Sequence, residues 1–325
     1  MTSNPTVPTV RGPLPVAELG TVLMHEHVFV LNEDLRRSTP ETWDEDDRVD
    51  DAVTRLKALA AVGVATVVDA TAIGLGRDVA RIARVNEQVD LNIVVATGLY
   101  TVSDIPDSFR YYGPGTLLGG PEPMTELFVR ELTDGIADTG IRAAFLKCAI
   151  ENELTPGVER VLRAVAQAHV RTGAPITVHT NPVARTGLVA QEIFRGEGVD
   201  LGAVVIGHSG DTADLGYLRQ VIDNGSYLGM DRFGLDVLLP SDQRVATVAA
   251  LAGQGFADRL VLSHDASCHI DWFPPGVREQ IAPNWHYTHL HDEVLPALLA
   301  AGVTGQQLTT MLVDNPRRYF GGAHG

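Results

Sequence analysis

Cysteine is nearly absent: Cys148 and Cys268 are the two in 325 residues, too few for the disulfide framework on which small secreted domains depend. No apolar run approaches the ~20 residues of a membrane-crossing helix. The opening stretch MTSNPTVPTVRG lacks the charged start and apolar centre of a secretory signal, so a cytoplasmic location is expected. Basic side chains are scarce as well, 25 Lys and Arg against 41 Asp and Glu, which leaves a net charge of −16. A surface of that sign repels phosphate backbones and anionic lipid, so neither nucleic acid nor a membrane is an expected partner. Short-period repeats, low-complexity tracts and an interdomain linker are also missing.

What is present is a 45% hydrophobic chain with a recurring pattern. Nearly continuous runs of Val, Ile, Leu and Ala mark strands near 21–25, 65–70, 92–97, 143–148, 175–179, 203–207, 226–230 and 259–263. Between them, apolar residues recur at three- and four-residue spacing over Asp51–Ala61, Val79–Gln88, Met124–Ala137, Val158–Arg171, Val189–Glu197, Ala213–Asn224 and Asp242–Ala252. The alternation predicts an α/β fold, a closed (β/α)8 TIM barrel in one domain over 1–325, with 1–20 packed on the barrel. Gly63, Gly173, Gly225 and Gly255 follow helical patterns where a left-handed cap is wanted, and Pro156 suits a first helical turn after Thr155. Two long loops are expected, 98–121 after the third strand and 266–288 after the eighth. Cys148, inside an apolar strand, is expected to be a small buried hydrophobe.

Six residues with metal-binding capacity close strand-like runs: His25 and His27 after VLM, Lys147 after AAFL, His179 after PITV, His208 after AVVIG and Asp265 after RLVLSH. In a parallel barrel the carboxyl ends of the strands share one rim, so these distant segments are expected to converge. Four imidazoles, a carboxylate and a lysine are enough donors for two divalent cations. Strand alternation sets His25 and His27 on one face with Glu26 on the other. Each histidine alone would suit a hydrogen-bonded core position; four of them ending strands of one barrel do not.

Burial should lower the pKa of Lys147. Its neutral amine could then serve a Schiff-base aldolase, or combine with carbon dioxide as a carbamate that bridges two cations. Asp265 could ligate a metal and accept a proton, or cap a following helix. Ile270, Trp272 and Phe273 could form an apolar channel or merely cover the barrel mouth. Other signals carry less. Trp285 to His291 is rich in histidine but follows no strand, and reads as a helix start or a subunit contact. Gly74-Leu75-Gly76-Arg77 lacks the third glycine of a dinucleotide fingerprint. His264 should point off the face of Asp265, and His169 is expected on a helix surface.

The motifs LMHEHVF, VVATGLY, FLKCA, ITVHT, VIGHSGDT, YLGMDRFG, LVLSHDA and DNPRRYF, taken in order, resemble those of the phosphotriesterase-like branch of the amidohydrolase superfamily. Within it the chain resembles the phosphotriesterase-like lactonases over nearly its full length. The resemblance implies that His25, His27 and Asp265 hold a more buried metal and His179 and His208 a second. Carboxylated Lys147 and a hydroxide would bridge the two ions, zinc or else cobalt, manganese or iron. It further implies that Tyr100 approaches the metals and substrate, that Arg232 lines the pocket, and that the chain forms a homodimer. Arg232 could instead pair with Asp231 or Asp236. The expected substrates are lactones, N-acyl-homoserine lactones among them, with a weaker activity on organophosphates; the reverse ranking makes the chain primarily a phosphotriesterase. Val102 departs from the aromatic that many lactonase relatives carry there, and bears on acyl-chain preference.

Overall fold

The computed structural model describes residues 5–322. A hairpin of β1 (Thr6–Thr9) and β2 (Gly12–Pro15) comes first. Nine strand segments follow: β3 (Val22–Val30), β4 (Thr66–Asp69), β5 (Asn92–Gly98), β6 (Phe145–Ile150), β7 (Ile176–Thr180), β8 (Val204–Gly207), β9 (Tyr227–Met230), β10 (Leu260–Leu262) and β11 (Ser267–Ile270). All neighbours are parallel, in the order β10-β9-β8-β7-β6-β5-β4-β3-β11.

β10 and β11 are two pieces of one eighth stave. β10 pairs with β9, and β11 pairs with β3 at the far end of the order. Between the two pieces, Asp265 N donates to His25 O at 3.0 Å and His27 N donates to Ala266 O at 2.9 Å. These bonds close the ring, and the expected (β/α)8 barrel is what forms.

Most strand boundaries lie within two residues of those the pattern predicts. The larger differences are at the seam. β3 continues to Val30, and β11 occupies the start of a stretch expected to be loop from 266 onward. SCHI has no long apolar run, and its place in the sheet comes from pairing with β3. The first long helix starts at Glu45 rather than Asp51, since the Asp44 carboxylate accepts from the N–H groups of Asp46 and Asp47. Elsewhere the chemistry of the ends is as expected: Thr155 caps a helix with Pro156 in its first turn, and Gly63, Gly173, Gly225 and Gly255 all take positive φ.

The core has two layers. Outward strand residues such as Leu23, Val67, Ile93, Leu146, Val178 and Ile206 pack against the helices. Inward residues, including Val22, Met24, Val68, Val94, Phe145, Val205 and Val261, fill the barrel and meet Val7, Val16 and Leu19 of the N-terminal segment. Val10 N donates to Ile93 O at 2.9 Å and joins the segment to β5; residues 1–4 lie outside the described residues. His169 is a correction. It is buried, with its Nδ1 donating to Ala174 O at 2.8 Å, because it stands at the carboxyl end of its helix where the chain turns back toward β7. Among the described residues no helix is long and apolar enough to cross a membrane.

Candidate active site

Two departures from plain alternation aim the imidazoles at the barrel axis. In β3, Val22 and Met24 point inward while Leu23 packs outward, so His25 should also face out. A register shift between Leu23 and Glu26 reverses the parity, and His25 and His27 line the same cavity. In β8, Val205 points inward, which would turn His208 outward. Its φ of 61° swings the ring back in, and Asp265 has the same left-handed backbone at φ 57°. Such conformations cost a non-glycine residue of order 1–3 kcal/mol and cluster at functional sites.

All six candidate ligands line one cavity of about 270 Å³, together with Tyr100, Arg232, Ile270, Trp272 and Phe273. His25 Nε2 is 3.1 Å from Lys147 Nζ and 3.4 Å from an Asp265 oxygen. His27 Nε2 is 3.1 Å from the same Asp265 oxygen, and His208 Nε2 is 2.8 Å from His179 Nδ1. His25, His208 and Asp265 each offer one atom within 4.8 Å of the others, close enough for one cation.

The partners on the far sides of the rings set the tautomers. Asp231 lies between two of them, with Oδ2 2.9 Å from His25 Nδ1 and Oδ1 2.9 Å from His208 Nδ1. Burial alone would raise its carboxyl, but His25 above all holds it below the usual range, so it stays ionised and only accepts. Both Nδ1 atoms therefore carry hydrogen and both Nε2 atoms are bare. Glu151 does the same to His179 from the other side, with Oε2 2.5 Å from Nε2, which leaves Nδ1 bare. Two lone pairs then face each other at 2.8 Å across the His179–His208 contact. Protonation does not relieve them, because burial pushes His179 down to about 4 and His208 well below its ordinary value. A cation between them would. The donor set fits divalent metal.

Lys147 is 1% exposed, and burial lowers its pKa to about 8. Burial would raise the Asp265 carboxyl, yet His25, His208 and Arg232 hold it well below the normal range, Arg232 being the permanent cation among them. The Arg232 guanidinium donates to Asp265 Oδ2 and Asp211 Oδ2, each at 2.9 Å, in place of the pairing with Asp231 or Asp236. Asp265 caps no helix, since β11 follows it. Tyr100 sets its ring edge-on to His179 at 5.3 Å, and burial keeps its hydroxyl protonated by raising the pKa to about 12.

Glycine brings Tyr100 there. A side chain at Gly98 would collide with the Lys147 carbonyl and one at Gly74 with the Tyr100 carbonyl, so both backbones approach as only glycine allows. The two-glycine turn thus shapes the site rather than a nucleotide loop. The Trp285–His291 stretch does lead into a helix, but two of its members reach the site. Trp285 lines the cavity, and the Tyr287 hydroxyl donates to His27 O. His264 points away, as expected, with Nδ1 2.7 Å from Glu26.

Sequence reasoning missed Asp231, Glu151, Thr71 (2.8 Å from His27 Nδ1), Asp211 and Trp285. Asp231 and Glu151 each lie directly after a strand, the one signal by which they were accessible.

The Phosphotriesterase family profile matches residues 5–320. A phosphotriesterase homology protein of Mycobacterium tuberculosis is 58% identical over 318 residues, covering 97% of this chain and 98% of that protein. An aryldialkylphosphatase of Saccharolobus solfataricus is 36% identical over 306 residues, covering 93% and 95%. The solved structure of the phosphotriesterase from Mycobacterium tuberculosis superposes with a TM-score of 0.96 at 58% identity, covering 97% of this chain and 98% of that one.

Proposed function

The chain belongs to the phosphotriesterase family of hydrolases, and from that premise we propose that it is a binuclear metal-dependent lactonase with a weaker phosphotriesterase activity. The facing, unprotonated nitrogens of His179 and His208 support the metal part of this reading. His25, His27 and Asp265 would hold one cation and His179 and His208 the other, with Lys147 as a carbamate between them. Divalent ions bound there would acidify water at neutral pH and draw charge from the oxygen of the electrophile.

Asp265 accepts the proton of the attacking water and passes it to the leaving oxygen, which for a lactone stays on the opened product. Its low proton affinity keeps it in the accepting form, and Arg232 holds it in place through Oδ2. Tyr100 keeps its proton and offers a hydroxyl to the ring oxygen or carbonyl. Leu75, Val237, Leu238, Ile270, Trp272 and Phe273 line the cavity and give an acyl tail an apolar path outward. That apolar cavity, opening from the donor set, supports the preference for lactones. The names of the relatives favour the second reading, in which organophosphates are the main substrates.

Metal-loaded and chelator-treated protein should be assayed with γ-, δ- and N-acyl-homoserine lactones beside a diethyl aryl phosphate. Lactone turnover that chelator abolishes and Zn²⁺, Co²⁺ or Mn²⁺ restores is the expected result. Organophosphate turnover far above every lactone would establish the second reading instead.

A further inference from the structure

Chain beyond Lys147 also serves the site. β6 ends at Ile150, and Glu151 turns its carboxylate across the barrel rim toward the loop after β7. Oε2 lies 2.5 Å from His179 Nε2, and Oε1 accepts from Asn181 Nδ2 at 3.0 Å. Asn181 is itself tied down: its Oδ1 accepts from Val183 N at 2.9 Å and Ala184 N at 3.3 Å, and its N–H donates to Thr186 Oγ1 at 2.8 Å. The carboxylate therefore meets the ring from a fixed direction.

The two halves of the donor set are anchored differently. His25 and His208 share Asp231, whose side chain is 1% exposed. His179 depends on Glu151, whose side chain is 33% exposed. No second side chain hydrogen-bonds His179 Nε2 among the described residues. Without an acceptor there the imidazole can hold its hydrogen on either nitrogen, and Nδ1 then turns from bare donor to blocked N–H in part of the population.

We propose that Glu151 is the positioning residue for the cation between His179 and His208: it forces the ring to present a bare Nδ1, so one ion can be lost there while the other stays. The inference rests on the binuclear reading. Outer partners of ligating histidines change metal affinity by roughly 10–100-fold, which sets the expected effect.

The test compares metal-loaded wild type with Glu151→Ala, Glu151→Gln and, as a control on the same loop, Glu153→Ala. Bound zinc per chain is measured after dialysis against a graded chelator. In parallel, ¹⁵N NMR of the metal-free proteins reads the His179 tautomer, a quantity that a general loosening of the fold does not switch. Two ions on the wild type and Glu153→Ala, one retained by Glu151→Ala with the second bound about 10–100-fold more weakly, and a mixed His179 tautomer in that variant are the expected results. Glu151→Gln should fall between. A Glu151→Ala protein that keeps both ions at wild-type affinity, or keeps His179 wholly as the Nε2–H form, overturns the role of Glu151 and leaves the binuclear reading standing. Fewer than two ions on the wild type overturns both.

Discussion

Asp231 lies on the far side of the rings from the reacting groups, yet its two oxygens decide which nitrogen of His25 and of His208 is available. Replacing it with alanine leaves both rings free to present either edge. Asp231→Ala should therefore weaken metal binding by about 10–100-fold, seen as zinc lost during gel filtration. In the proposed mechanism Asp265 acts on the reaction itself. Asp265→Asn should lower kcat by roughly 10²–10⁴-fold with little change in KM; a raised KM at unchanged kcat would contradict a proton-accepting role. Arg232 stands between Asp265 and Asp211, both partly buried, and donates to one oxygen of each. Arg232→Met removes the shared partner of both, Asp211 keeping Arg244, and a loss of about 1–3 kcal/mol in chemical unfolding is expected.

At the scale of the element, loops are held to strands by pieces too small to announce themselves. Arg244 is fully buried; its guanidinium donates to Gly210 O at 2.7 Å, Leu239 O at 3.0 Å and Leu235 O at 3.1 Å, and lies 2.7 Å from an Asp211 oxygen. The loop bearing Leu235, Val237 and Leu238 of the cavity wall is thereby tied to the neighbour of Arg232. Gly98 plays the matching part at the end of β5. Gly98→Ala drives a methyl group into the Lys147 carbonyl and should cost more than about 2 kcal/mol, measured by denaturant unfolding. The sequence pattern revealed what repeats: eight apolar runs, the helices between them, and donors at strand ends. It could not reveal the register shift in β3, the left-handed turn at His208 or the pairing of SCHI with β3. Each of those is decided by a neighbour far along the chain. His25 and His27 were expected on one face, and so they are, but by way of a bulge that simple alternation does not contain. Arg232 was legible as a pocket residue while its partners were not, since Asp211 is brought beside it only by the adjacent strand end.

For the whole molecule, burial of histidine sets the response to acid. His179 and His269 have folded pKa values lowered to about 4, and His25 and His208 are also lowered, against 6.5 for the exposed side chain. Below 6.5 the unfolded chain takes up protons that the folded one refuses, so stability falls as pH falls. The metal-free protein should lose Tm progressively between pH 6.5 and 4, and added zinc should oppose the loss at the upper end of that window. The N-terminal segment plugs the bottom of the barrel with Val7, Val16 and Leu19, at 0%, 5% and 0% exposure. Deleting residues up to 19 should lower stability by roughly 5–9 kcal/mol, from about 1.5–3 kcal/mol for each of the three buried side chains removed, while the chemistry at the opposite rim keeps its pH profile.

The broken eighth stave has a consequence for biogenesis. Ala266 N reaches Glu26 across 240 residues, so the first donors to leave the ribosome wait for nearly the last strand before their constellation exists. A nascent chain halted short of β11 has an open seam, and it should neither retain zinc nor turn over substrate however much of the barrel has already condensed. Catalytic competence would then switch on in one step, as the ring is sealed.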